Sequence, residues 1–183
     1  ALNPMLTKKG KLYGDLTVAS LTDEKFMIFG SGAVQEMHRR WFEFFLPDNG
    51  VVYKNRSDDY HGLAISGPNS RELMSKICRE DVSNEAFKFR DTKEIFVGGV
   101  PAIVNRISFT GELGYEIYTA PQFQIKLFEE IEKNGKDLGL KIFGGRALMS
   151  MRLEKNWGAW TLDFRPDFTA AESGLDFFIN WDK

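Results

Sequence analysis

The sequence predicts an α+β fold, built mostly from antiparallel sheets with helices packed on them. Three observations carry this. First, β-rich runs follow one another directly: GDLTVASL (14–21) and KFMIFG (25–30) are separated only by Thr22-Asp23-Glu24, a hairpin-sized connection. Second, another such pair lies in EIFVGGVPAIVNRISF, folded about Gly98-Gly99. Third, helical patterns intervene without alternating one-to-one with strands, as a parallel βαβ winding would require.

The elements follow in order. Ser31 is a candidate N-cap for a helix whose apolar face would be Val34, Met37, Trp41, Phe44 and Phe45. Pro47-Asp48-Asn49-Gly50 has the turn chemistry to stop it. VVYKNR and HGLAISG read as strands. Pro68-Asn69-Ser70 opens a second helix, with Leu73, Ile77 and Cys78 inward. YEIYT is a further strand, and Pro121 starts a helix carrying Phe123, Leu127 and Ile131 that ends near Gly135. Gly144-Gly145 precede a last helix, Arg146 to Asn156. There is no internal repeat. A chain of 183 residues suits one domain, divisible into lobes 1–59 and 60–183.

Composition narrows the function classes. Hydrophobic residues at 43% and charged residues at 27% are those of an ordinary globular protein. A net charge of −2 and the lack of a concentrated basic patch argue against nucleic-acid or anionic-membrane partners. No apolar run approaches the ~20 residues that span a bilayer. The single cysteine, Cys78, forbids an intrachain disulfide and reads as a small buried hydrophobe. Aromatic residues make up 14% of the chain, enough to build a Phe-rich core or to wall a flat, conjugated ligand. The chain opens on ALNPML and stops after FFINWDK, neither of which has the loose polar character of a natural terminus. The expectation is a piece of a longer protein, truncated at both ends.

The chemistry-bearing residues are few. Neither GxGxxG nor GxxxxGK[ST] occurs, so no phosphate-cradling loop is expected. His38 and His61 have no neighbour at metal-ligand spacing, and no metal site is expected. His38 reads as a surface or boundary residue and His61 as a strand-edge residue. Carboxylates hold more promise. Asp15 follows Gly14 into an apolar strand; it is either a turn residue or a carboxylate at a pocket edge, where burial raises its pKa for proton transfer. Glu112 lies in SFTGELGYE, between two glycines; it is either a solvated turn residue or an acceptor for paired N–H groups of a ring. Asp167 and Glu172 read as surface charges.

Four blocks in order, MLTKKGKLYGDLTV, LAISGPNS, SFTGELGYEIY and RLEKNWGAW…ESGLDFFINWDK, resemble the folate-binding domain of the aminomethyltransferase family, which includes the glycine-cleavage T-protein. RWFEFFLP and RLEK…W bring the chain nearer to the C-terminal half of the flavin-dependent dimethylglycine and sarcosine dehydrogenases. The resemblance implies a tetrahydrofolate site and one-carbon (aminomethyl or methylene) transfer. It implies Asp15 as the catalytic carboxylate that orients the folate and takes a proton. It implies Glu112 as the acceptor for the pterin, with Tyr115 on the same wall, Phe109 stacking, and Arg152 matching the family's RLE block. FAD would belong only to a missing N-terminal portion of the same longer chain. A cytoplasmic location in a bacterium, or the mitochondrial matrix in a eukaryote, goes with this family.

The chain departs from T-protein patterns at several positions. Gly14 stands where an acid is usual, Phe109 where Tyr precedes the turn, Leu148 where an Arg precedes RLE, and Gly30 or Ser31 where an Asn follows the second strand. These departures favour the dehydrogenase branch. The alternative is a catalytically inactive folate-binding or scaffolding module.

Overall fold

The computed structural model describes residues 2–182. The architecture is α+β, with two antiparallel sheets and four α-helices among the described residues. Contacts divide the chain into two units. One is Asp58–Trp157; the other combines the chain before Asp58 with the chain from Gly158 onward. The C-terminal segment thus joins the unit that begins the chain. Backbone pairing is the reason. The Leu12 N–H donates to the Phe168 carbonyl at 2.9 Å beside an antiparallel bridge of Lys11 with Thr169, and the Lys11 side chain adds a bond from Nζ to the Asp167 carbonyl at 3.0 Å.

The first unit holds a three-stranded sheet in the order β1 (Leu2–Leu6), β2 (Leu12–Ser20), β3 (Phe26–Phe29). β2 and β3 form the hairpin expected around Thr22-Asp23-Glu24, closed by the Leu21 N–H to the Lys25 carbonyl at 2.8 Å. β1 is not evident from sequence. It is an edge strand containing Pro4, which an edge position tolerates because no ladder donor is needed on the open side. Leu12 and Leu16 point into the unit's core with Ala19, Phe164 and Leu175.

Helix α1 (Gln35–Phe45) packs a different residue set from that expected. Its only buried residue is His38, whereas Phe44 is 77% exposed. The expectation of a surface or boundary His38 is therefore corrected. Glycines on and beside two strands explain it. A Cβ built on Gly14 would lie 2.7 Å from His38 Nε2, and one on Gly30 3.3 Å from His38 Nδ1. The imidazole fills the volume that side chains at both positions would take. Segment 51–56, read as a strand, is irregular, and Val52 is 83% exposed. Its β-branched residues have no partner strand, so propensity alone does not fix the conformation.

The second unit holds a four-stranded sheet in the order β4 (His61–Ser66), β7 (Gly114–Thr119), β6 (Val100–Asn105), β5 (Thr92–Val97). β5 and β6 meet at Gly98-Gly99, whose φ values of 58° and 78° give a turn that non-glycine residues resist. Helices α2 (Ser70–Ile77) and α3 (Gln124–Gly135) supply Leu73, Met74 and Leu127 to a core that also buries Phe87, Val97, Tyr115 and Ile117. Cys78 caps α2 and lies partly buried against this core, where burial pushes its thiol up to about 12. Helix α4 (Gly145–Glu154) ends because Asn156 takes the left-handed conformation, φ 58°.

β7 is central, and its alternation sorts side chains by parity. Tyr115, Ile117 and Thr119 are buried, while Glu116 and Tyr118 are only partly so. Its start is fixed at Gly114. A Cβ there would stand 2.7 Å from Ser108 Cβ and 2.8 Å from the Ile65 carbonyl oxygen of β4. Gly114→Ala should therefore lower stability by ~1–3 kcal/mol, as overpacking against backbone does. Urea unfolding checks this; an unchanged midpoint would mean that the strand start is not so constrained.

Candidate functional site

The turn between β6 and β7 is organised by hydroxyls. Ser108 Oγ lies 3.1 Å from Ser66 Oγ and 2.9 Å from Thr110 Oγ1, and it accepts the Thr110 N–H at 3.2 Å. Short polar side chains of this kind bind their own backbone and stabilise turns. Gly111 has φ 84°, a conformation that a side chain at this position would strain.

Beside this turn is a cavity of about 510 Å³, within the range of small-molecule sites. β4 contributes Gly62 to Ser66, the turn contributes Ser108, Phe109 and Thr110, and α3 contributes Phe128 and Ile131. Ile142, Phe143 and Leu148 continue the apolar wall. Polar groups are sparse: the hydroxyls, Glu116, Glu132 and Lys141. An apolar cleft with aromatic walls and a few convergent polar groups suits a flat, partly conjugated ligand.

Glu116 is the distinctive group. It sits in the middle of a central strand and accepts a hydrogen bond from the Tyr118 hydroxyl at 2.8 Å. Burial raises its pKa from the ordinary carboxylate value, while the Tyr118 hydroxyl and the Lys155 ammonium pull it back. Burial likewise raises the Tyr118 phenol, with Glu116 adding to the effect.

The residues named from sequence fall in different surroundings. Phe109 is partly buried and lines the cavity. Tyr115 also contributes to the lining, but its ring is fully buried in the core, with its centroid 5.7 Å from that of Phe87. Glu112 is exposed and is not among the cavity's lining residues; its N–H reaches Thr110 Oγ1 at 3.5 Å. Arg152 is buried and donates from Nη1 to the Trp157 carbonyl at 2.7 Å, which braces the end of α4. Sequence reasoning passes over Glu116. The signal is present, since a carboxylate between Tyr115 and Ile117 in a central strand needs a reason to be there.

Asp15 belongs to the first unit, on β2 opposite Pro4 of β1. Strand alternation puts it on the face opposite Leu12, Gly14 and Leu16. Burial pushes its carboxyl up to about 6, against the opposing pull of a hydrogen bond from its own backbone N–H. A value near neutrality suits a group that exchanges protons at physiological pH. Behind it, burial lowers the His38 pKa and so favours the neutral imidazole, while a bond to the Tyr13 backbone offsets this in part. Its ring centroid lies 6.1 Å from that of Trp160.

Two antiparallel-sheet units, one carrying Asp15 and the other a cavity lined by aromatic side chains and Glu116, make up an α+β domain. The chain belongs to the family described as the GCVT N-terminal domain, whose model matches residues 1–183. It is 36% identical over its full length to mitochondrial dimethylglycine dehydrogenase of Homo sapiens, but spans only 21% of that protein. It is 32% identical to an aminomethyltransferase of Thermoanaerobacter pseudethanolicus, with 98% of this chain and 48% of that protein covered. Among solved structures, a heterotetrameric sarcosine oxidase from a Corynebacterium species shares the fold. The TM-score is 0.55 at 16% identity, over 70% of this chain and 64% of that one. Among the described residues no helix is long and apolar enough to cross a membrane.

The Asp15 shift has a consequence for stability. Its folded value of about 6 exceeds its ordinary value of 3.8. The folded state therefore holds the proton more tightly. Full stability is present below about pH 4 and is lost as pH rises to about 6, by at most ~3 kcal/mol. Asp15→Asn should remove this fall, so that the variant matches wild type near pH 4 and exceeds it at pH 7. Urea midpoints measured from pH 4 to 7 check the sign; parallel profiles would show that Asp15 is not desolvated.

Proposed function

We propose that the chain is a tetrahydrofolate-binding domain that serves one-carbon transfer. The observation that carries this reading is the second unit's cavity, where Glu116 stands among Phe109, Phe128 and Phe143. A pterin presents a planar face to aromatic side chains and paired N–H donors to a carboxylate, and this lining supplies both partners. Glu116 thus takes the role that the family resemblance assigned to Glu112, with Glu112 left in solvent. The Ser108 and Thr110 hydroxyls fix Phe109 in place. Leu148, in place of an arginine, keeps the wall near α4 apolar.

Bound tetrahydrofolate would supply the amine nitrogens that take up the one-carbon unit. Asp15 is the proposed proton acceptor, since its raised pKa allows its carboxylate oxygens to accept and return a proton near neutral pH. A module that only binds or scaffolds would have no use for a desolvated aspartate, so Asp15 favours transfer over that alternative. The chain spans about a fifth of the dimethylglycine dehydrogenase relatives, which supports a place beside a flavin-dependent portion of a longer protein, with an N-methyl amine such as dimethylglycine or sarcosine as donor.

Calorimetric titration with 5-formyltetrahydrofolate, an oxidation-resistant form, tests the site. Glu116→Gln should cost ~1–3 kcal/mol of binding, the loss expected for a charged acceptor. Glu112→Ala should leave the affinity within about twofold, as for an exposed residue. Loss of binding on changing Glu112, with Glu116→Gln unaffected, would reject the assignment.

A further inference from the structure

Tyr118 stands two residues beyond Glu116 on β7, so both side chains leave the same face of the sheet. Its cross-strand neighbours are unequal. On one side is Ile103 of β6, bulky and buried; on the other is Gly62 of β4, which has no side chain. The ring lies over the glycine. A Cβ built on Gly62 would stand 3.0 Å from Tyr118 Cε1 and 3.3 Å from Cδ1, closer than ordinary van der Waals contact. An aromatic ring laid over a glycine of the next strand fills the gap that the missing side chain leaves. From that seat the hydroxyl points back along the strand and donates to Glu116 Oε2 at 2.8 Å. Among the described residues no other hydrogen bond reaches the Glu116 carboxylate, so Oε1 stays open. Opposite Glu116 on β4 is Ala64, which lines the cavity with Gly62, whereas Tyr118 does not.

We propose that Tyr118 is a positioning residue for the ligand site: with its ring seated on Gly62, its hydroxyl fixes the Glu116 carboxylate through Oε2 and leaves Oε1 to meet the ligand's N–H donors. The proposal rests on the reading of Glu116 as the pterin's acceptor and names the group that holds that acceptor in place. A glutamate side chain has three torsions, the last of them broad, so an unheld carboxylate must be ordered when the ligand binds. A bond made beforehand removes that cost and strengthens binding without touching the ligand. The phenol suits the task because it has only two torsions, and the packing on Gly62 restrains its ring. An ionised carboxylate is purely an acceptor with about four lone-pair sites, so one donor on Oε2 does not exhaust it.

A double-mutant cycle with 5-formyltetrahydrofolate, read by calorimetry, tests the role. Tyr118→Phe keeps the ring and removes the hydroxyl; it should weaken binding about fivefold. In a Glu116→Ala background the same change should alter affinity by less than about twofold, since no carboxylate is left to hold. Gly62→Ala pushes against the ring; it should weaken binding in the wild-type background but not in Tyr118→Phe. In the ligand-free protein, labelling at tyrosine ¹³Cζ reports the contact itself, with the Tyr118 resonance assigned through Tyr118→Phe. Its shift should follow a pH step that Glu116→Ala abolishes. The other titratable groups near Glu116, namely Lys155 and, across the cavity, Glu132 and Lys141, are still present in that variant and act as the control. A Tyr118 resonance without that step overturns the proposal whether or not the ligand binds. So does wild-type affinity in Tyr118→Phe or in Gly62→Ala. Equal losses from Tyr118→Phe in both Glu116 backgrounds, or from Gly62→Ala in both Tyr118 backgrounds, reduce these residues to structural braces and overturn it too. If Glu116→Ala binds as wild type does, the reading of Glu116 as the acceptor is what fails. If Glu116→Ala weakens binding and Tyr118→Phe does not, that reading stands and the role of Tyr118 falls.

Discussion

The second unit depends on one close approach, that of Gly114 to Ser108 and to the carbonyl of Ile65. It fixes where the β6–β7 turn ends and where β7 begins. From that point parity does the rest. Tyr115 and Ile117 go to the core, and Glu116 goes to the other side. A slip by one residue would send the carboxylate into the cluster around Phe87 and the tyrosine ring out of it. Burying an unpaired carboxylate there would be costly, so the register is held from both sides. The two glycines of the turn thus have separate duties. Gly111 supplies the left-handed conformation under Lys155, and Gly114 supplies the space.

The first unit shows the same use of absent side chains. Gly14 and Gly30 leave room that His38 fills, and this buried imidazole backs the strand carrying Asp15. Two of the positions at which this chain departs from T-protein patterns therefore meet at one residue. An acid at position 14 could not coexist with this ring, since even a Cβ would come to 2.7 Å of it. The substitution at one site and the histidine on α1 are parts of one packing solution.

Much of this is legible in the sequence. The hairpins at Thr22-Asp23-Glu24 and Gly98-Gly99 follow from local turn chemistry, as does the helix that Pro121 opens. The resemblance of SFTGELGYEIY to the aminomethyltransferase family agrees with the match over the whole chain. What escapes is set by non-local pairing. β1 contains Pro4 and has no alternation, so its strand character comes from β2 alone. The Val51-Val52 run has strand propensity but no partner strand. His38 gives no sign of burial, because the glycines that admit it lie on β2 and just past β3. In the site, the TGE turn draws attention to Glu112, although the alternation of YEIYT already marks Glu116 as the carboxylate with buried neighbours.

The central claim is that a strand-borne glutamate, not the turn glutamate, receives the ligand. A crystal structure of the protein with 5-formyltetrahydrofolate tests it most directly. The expected result is a pterin within the cavity, its ring against Phe109 and its N–H donors within about 3.2 Å of the Glu116 carboxylate. A pterin seated on Glu112 outside the cavity, with Glu116 bound only to Tyr118, would contradict it.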